Sequence, residues 1–141
     1  MIRVSPDDMA TIVEAFKQGK IVVFPTETSY GIGCDATNEA AVARVITIKQ
    51  RRPDKGLPVL VHSLAEARQH ILFNERALEL AHKHWPGPLN IISTIVPGST
   101  ITSLCNKDGM QALRHSSSAF MEYLMQQLDF PIVATRANIA W

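Results

Sequence analysis

Residues 21–61 read IVVFPTETSYGIGCDATNEAAVARVITIKQRRPDKGLPVLV, and the fold turns on this stretch. It opens on a continuous apolar run at 21–24, short and β-branched, the pattern of a strand buried on both faces. Pro25 cannot continue a central strand, so the chain turns there into a loop over 25–35 that is rich in hydroxyls: Thr26, Thr28, Ser29 and Tyr30. Asn38 can cap a helix that runs to about Gln50, with Val42, Val45 and Ile46 as its inner stripe. Lys49 continues that stripe at i+3 spacing. Its ammonium either snorkels to water or sits in a cleft beside the sheet. A dense basic cluster follows, Lys49, Arg51, Arg52 and Lys55, and then a second apolar run at 58–61. Strand, polar loop, helix and strand make a βαβ unit, whose strand-end loops are where open α/β sheets bind ligands.

The flanking segments extend the same alternation. Ser5-Pro6-Asp7-Asp8 is a helix start, with an N-cap hydroxyl, Pro at the first helical position and acids facing the positive end of the dipole. Met9, Ile12, Val13 and Phe16 then form one apolar stripe, and Gly19 is placed to end the helix at C′. Downstream, Ser63-Leu64-Ala65-Glu66 fits a capping box. Asn74 caps another helix with Leu78, Ala81 and Trp85 inward, and Trp85-Pro86-Gly87-Pro88 makes a rigid turn into the apolar run 89–95. Residues 101–104 and 112–114 are weaker strand candidates. A last helix, capped within 116–118, carries Phe120, Leu124 and Leu128 at i, i+4, i+8. Asp129-Phe130-Pro131 breaks it, and a short strand at 132–134 leads into Thr135-Arg136-Ala137-Asn138. Mixed strands and helices without repeats or linkers predict a single α/β (α+β) domain over 1–141.

Composition narrows the class. A chain of 141 residues with 46% hydrophobic and 19% charged content is globular, not disordered. The net charge of +1 is uninformative, but four basic side chains fall within 49–55. No apolar run approaches the roughly 20 residues of a membrane span, and MIRVSPDD lacks a signal-peptide core, so a cytoplasmic protein without a membrane partner is expected. Cys34 and Cys105 are too few and too distant for a zinc site or a disulfide framework, and read as small buried hydrophobes.

The chemistry on offer is electrostatic. Nucleotide phosphates require cations and backbone N–H donors, and Lys49, Arg51 and Lys55 can supply the cations. The same cluster also fits a solvated basic turn. Neither a G-x-x-x-x-G-K-[ST] loop nor a full dinucleotide fingerprint is present. The five histidines, His62, His70, His82, His84 and His115, show no H-E-x-x-H spacing, no G-x-S-x-G elbow occurs, and no carboxylate pair stands out. The residues therefore identify no metal set and no nucleophile. A reaction here depends on positioning and electrostatics, as phosphoryl and nucleotidyl transfers largely do.

Several motifs, taken together, resemble one family. Phe24-Pro25-Thr26-Glu27-Thr28-Ser29-Tyr30-Gly31-Ile32-Gly33 is similar to the FPT(E/D)TVYGLG opening of the YrdC-like threonylcarbamoyl-AMP synthases. Lys49-Gln50-Arg51 with Pro53 and Lys55 resembles their K-x-R signature, and Trp85-Pro86-Gly87-Pro88 their W-P-G-P turn. Ala112-Leu113-Arg114 resembles their V-R element, and PIVATRANI at 131–139 their P-L-V-A-T-S-A-N-L ending. The matches run in family order from about 24 to 139.

The resemblance implies a twisted open sheet flanked by helices, with a concave cationic face. It implies a nucleotidyltransferase that joins L-threonine, bicarbonate and ATP into threonylcarbamoyl-AMP with release of pyrophosphate, usually with Mg²⁺. That product serves t⁶A modification of tRNAs that read ANN codons, so tRNA or double-stranded RNA and downstream t⁶A-forming proteins are the implied partners. Carried over by position, Lys49 and Arg51 would hold ATP phosphates as the catalytic pair, assisted by Lys55. Thr28 would bind threonine, Arg114 would line the cleft, and Thr135 and Asn138 would close the nucleotide site. Four positions depart from the pattern: Arg136 replaces the serine of S-x-N, Asn90 the threonine after P-G-P, and Ala140-Trp141 the S-G that follows. The sequence also stops where family members usually add another strand and helix. Two other functions stay open on this reading: an RNA- or nucleotide-binding module that keeps the groove without turnover, and a carbamoyl-transfer domain.

Overall fold

The computed structural model describes residues 2–3, 8–25 and 30–136. Seven strands form one open mixed sheet: β1 (Ile2–Arg3), β2 (Val22–Pro25), β3 (Tyr30–Asp35), β4 (Val59–Val61), β5 (Ile91–Thr94), β6 (Met110–His115) and β7 (Ile132–Arg136). Their spatial order is β1-β2-β3-β7-β4-β6-β5. Only β1–β2 and β4–β6 are parallel; the other neighbours run antiparallel. Five helices pack on this sheet: α1 (Met9–Lys17), α2 (Glu39–Ile48), α3 (Leu64–Arg68), α4 (Glu75–His84) and α5 (Ala119–Gln126). The fold is α+β, as expected from the sequence.

The expected βαβ unit is corrected. Tyr30–Asp35, read from sequence as part of a loop, is a strand that pairs antiparallel with β2, Val22 opposite Gly33 and Phe24 opposite Gly31. Its YGIGCD sequence is period-two: Ile32 and Cys34 are buried on the α2 side, while the glycines take the other face. A Cβ at Gly33 would lie 1.9 Å from the Val133 carbonyl oxygen and 3.0 Å from the Phe24 ring, so only glycine lets β3, β7 and Phe24 close up. Because β7 inserts antiparallel between β3 and β4, the unit β3–α2–β4 is a split βαβ. Long-range pairing of residues about 100 apart in sequence inserted that strand, and no local pattern announces it.

Each face of the sheet has its own core. On one face α1 and α5 set Ile12, Phe16, Met121 and Leu124 against Val22, Phe24, Leu60 and Ile132. On the other, Val42 and Val45 of α2 pack on Ile32, Cys34, Val59, Leu113 and Val133. A strand such as β4, all three residues buried, is therefore continuously apolar. Each such side chain contributes about 1.5–3 kcal/mol by leaving water.

Local signals mostly held. Asn38, Ser63, Asn74 and Ser118 accept hydrogen bonds from Ala41, Glu66, Ala77 and Met121 N–H groups, as N-caps do. Gly19, at φ 75°, ends α1. Regular helix α1 begins at Met9, and the Ser5-Pro6-Asp7 start signal lies outside the described residues. Residues 101–104 are not a strand: Ser103–Cys105 is a single 3₁₀ turn, because Thr102 caps Leu104 and the Cys105 carbonyl is taken by Leu57 N–H. In α4, Ala77 and Leu80 join Ala81 against the core in place of Leu78. In α5, Met121, Leu124 and Met125 form the buried stripe, with Phe120 at its margin. Cys34 and Cys105 are buried free thiols, and burial pushes both up, Cys105 to about 12, so neither is a nucleophile. Among the described residues no helix is long and apolar enough to cross a membrane.

Candidate functional site

The end of α2 builds the site. Lys49 is its C-cap, and Gln50 follows in the left-handed region at φ 53°. The Gln50 and Arg51 N–H groups donate back to the carbonyls of Thr47 (3.1 Å) and Ile46 (3.0 Å), which is a Schellman motif made without glycine. This turn separates two cations that are adjacent but one in sequence. Lys49 stays on the inner side of the helix end, only 3% exposed, and does not snorkel to water. Its ammonium donates to the Arg136 carbonyl at 2.7 Å and to Thr135 Oγ1 at 3.3 Å. The α2 end is thereby tied to the end of β7.

Arg51 leaves in another direction. Its Nε donates to the Gly56 carbonyl at 2.9 Å, across the 3₁₀ turn Pro53–Lys55. Gly56 holds φ 73°, and a Cβ there would press on the Cys105 carbonyl at 3.3 Å. Arg51 and Lys55 line a cavity of about 390 Å³ together with Lys107 and Asp108. Its apolar wall is Ile92, Met110 and Ala112, on the part of the sheet that α1 and α5 leave uncovered. Ile92 is 62% exposed, an uncommon position for a large apolar side chain on a strand. Among the described residues, three cations to one carboxylate make the cavity attractive to anions.

The electrostatics agree. Burial pushes the Lys49 ammonium below its ordinary pKa, and the nearby charges of Arg51, Lys55 and Arg136 push it further. Burial also lowers Arg51, whose guanidinium nonetheless stays charged. Arg136 is exposed at the end of β7, its backbone carbonyl serving Lys49 while its side chain adds to the positive field. Bringing like charges together costs free energy that a bound anion would recover.

Of the residues singled out in sequence, Arg51 and Lys55 line the cavity, while Lys49 and Thr135 meet each other at the end of β7, where the charges of Arg51 and Lys55 still reach the Lys49 ammonium. Arg114 lies in register with Leu60, two residues along β6 from the cavity wall at Ala112. Its Nε is buried without a hydrogen-bond partner among the described residues. Thr28 and Asn138 lie outside the described residues. Sequence reasoning missed Lys107, Asp108, Ile92 and Met110. The signal for the first two was the dipeptide Asp108-Gly109, both at positive φ (54° and 74°), which is the turn leading into β6. Among the described residues no group of three or more His, Cys, Asp or Glu side chains can hold a metal. Among the described residues Asp108 is the one carboxylate lining the cavity, and by itself it does not make a protein-held Mg²⁺ site.

Fold and cleft together define an α+β domain with a cationic cavity at one end of a mixed sheet. The model of the Sua5_yciO_yrdC family, described as telomere recombination, matches residues 14–140, and the chain belongs to this Sua5/YciO/YrdC family. The structure of P. abyssi Sua5 complexed with L-threonine is similar at 28% identity and TM-score 0.88, covering 99% of this chain and 43% of that one. MTH1692 from Methanobacterium thermoautotrophicum is similar at 28% identity and TM-score 0.73, covering 98% and 65%. E. coli YciO, at 19% identity and TM-score 0.82 over 95% and 66%, shares the fold. The chain thus spans less than half the length of the Sua5 that it matches.

Proposed function

We propose that the cleft binds ATP through its phosphates and that the chain forms L-threonylcarbamoyl-AMP from L-threonine, bicarbonate and ATP, for t⁶A modification of tRNA. The observation that carries this reading is the cationic cluster: Arg51 and Lys55 line a cavity with the volume of a ligand site, and their charges, with that of Arg136, reach the buried Lys49 ammonium. The threonine bound by P. abyssi Sua5 supports the choice of amino acid. In the reaction the threonine amine condenses with bicarbonate, releasing water and leaving a carbamate. A carbamate oxygen then attacks the α-phosphorus of ATP, and the bond to the β-phosphate oxygen breaks. This requires no enzymatic nucleophile, which agrees with the unreactive cysteines. Lys49, Arg51 and Lys55 would neutralise the pyrophosphate as it leaves, an electrostatic contribution that grows in a partly dehydrated cleft. Mg²⁺ would enter as a companion of the ATP phosphates.

The test is pyrophosphate release by the purified chain. It should require threonine, bicarbonate and ATP together, and omission of any one should abolish it. No release under any condition, with tRNA binding that weakens steeply as salt rises, would overturn synthesis in favour of an RNA-binding module.

A further inference from the structure

One buried polar side chain beneath the cleft is left unexplained by packing. Gln111 on β6 is 1% exposed and faces the α2 side of the sheet, among apolar residues such as Leu113. Its Nε2 donates to the Leu57 carbonyl at 2.7 Å and to the Ala112 carbonyl at 2.9 Å, and its Oε1 accepts from Asn106 Nδ2 at 2.8 Å. The amide orientation is forced: turned over, its oxygen would face two carbonyl oxygens. A buried amide is costly unless so bonded, and an apolar residue would pack here without that demand.

The position of Leu57 explains what the amide does. β4 joins β6 at Val59 opposite Leu113, so Leu57 stands opposite Gln111, two residues before the ladder begins. There the backbone departs from the sheet and the cavity opens. Leu57 N–H goes to the Cys105 carbonyl at 2.9 Å, and its carbonyl is taken by the Gln111 side chain. Gln111 substitutes for the missing ladder bond and, through Asn106, joins both walls of the cleft. The residue it fixes is adjacent to Gly56, whose carbonyl holds Arg51 Nε at 2.9 Å.

We infer that Gln111 is a positioning residue for the nucleotide site: it sets the Gly56–Leu57 backbone and thereby the direction of the Arg51 guanidinium. The inference rests on the proposed ATP function but is testable apart from it. In Gln111→Met the fold should persist while KM for ATP rises about tenfold, the size of one lost charge-assisted contact, and kcat falls as well because Arg51 also neutralises the leaving pyrophosphate, with the KM for threonine within about threefold of wild type. In an Arg51→Ala background, adding Gln111→Met should change KM for ATP little further, because both act through one group. Independently of any ligand, the Arg51 Nε–H should exchange slowly in wild type and at least about tenfold faster in Gln111→Met, as expected when a hydrogen bond opens. If Gln111→Met does not fold, Asn106→Ala tests the same network from its outer end. Unchanged Arg51 exchange in these variants, or fully additive KM effects in the double variant, would overturn the inference. If wild type itself fails to bind ATP, the proposed function falls, and the exchange measurement alone decides the positioning role.

Discussion

Replacing Lys49 with methionine separates function from stability. Methionine keeps an apolar stem of similar length and removes only the ammonium. Of its bonds to the described residues, the 2.7 Å bond to the Arg136 carbonyl is the stronger, since the 3.3 Å contact to Thr135 is long. A charged hydrogen bond contributes about 1.5–3 kcal/mol. Against it stand the dehydration of a side chain that is 3% exposed and the repulsion from Arg51, Lys55 and Arg136. Such opposing terms leave apolar replacements of buried charges near neutral or stabilising, so the unfolding free energy at pH 7 should change by less than about 1 kcal/mol. ATP binding gains from no such compensation, and the variant should lose about 1.5–3 kcal/mol of affinity, roughly tenfold to more than a hundredfold. A pH signature accompanies this. Because the folded pKa of Lys49 lies below its unfolded value, the unfolded chain holds the proton more tightly. The Lys49 penalty is therefore complete at neutral pH and is relieved as pH rises through the folded pKa toward the unfolded value, near 10.4. Wild type should gain stability relative to Lys49→Met over that window. Urea unfolding from pH 7 to pH 10 and calorimetric titration of ATP at fixed salt measure both quantities. A variant that loses more than about 3 kcal/mol of stability yet binds ATP as wild type would make Lys49 a structural strut between α2 and β7 and refute the reasoning.

Two further expectations concern backbone geometry. Gln50→Gly should stabilise the chain by about 0.5–1 kcal/mol in urea unfolding, since Gln50 sits at φ 53° in a Schellman turn that glycine adopts without strain; a loss of stability would contradict this. Gly33→Ala should cost about 3 kcal/mol or more, or prevent folding, because the added methyl meets the Val133 carbonyl oxygen at 1.9 Å between two central strands; a variant with wild-type melting would show that β3 and β7 can separate freely.

The sequence by itself determined the local elements and the chemistry they carry. Caps at Asn38, Ser63 and Asn74 start helices because their side chains bond backbone groups three residues away, a purely local event. The cluster Lys49, Arg51, Lys55 was legible because charge is a property of residues wherever they end up. Whether Lys49 was solvated or buried was not legible, because its partners, Thr135 and the Arg136 carbonyl, are 86 and 87 positions away. Only the tertiary structure placed β7 between β3 and β4, turned the 30–35 segment into a strand, and left Ile92 and Met110 uncovered beside the cations. Likewise Gln111 looks like a surface residue in its own neighbourhood. It becomes a buried brace because the parallel pairing of β4 and β6 ends two residues short of Leu57 and leaves a carbonyl in need of a donor.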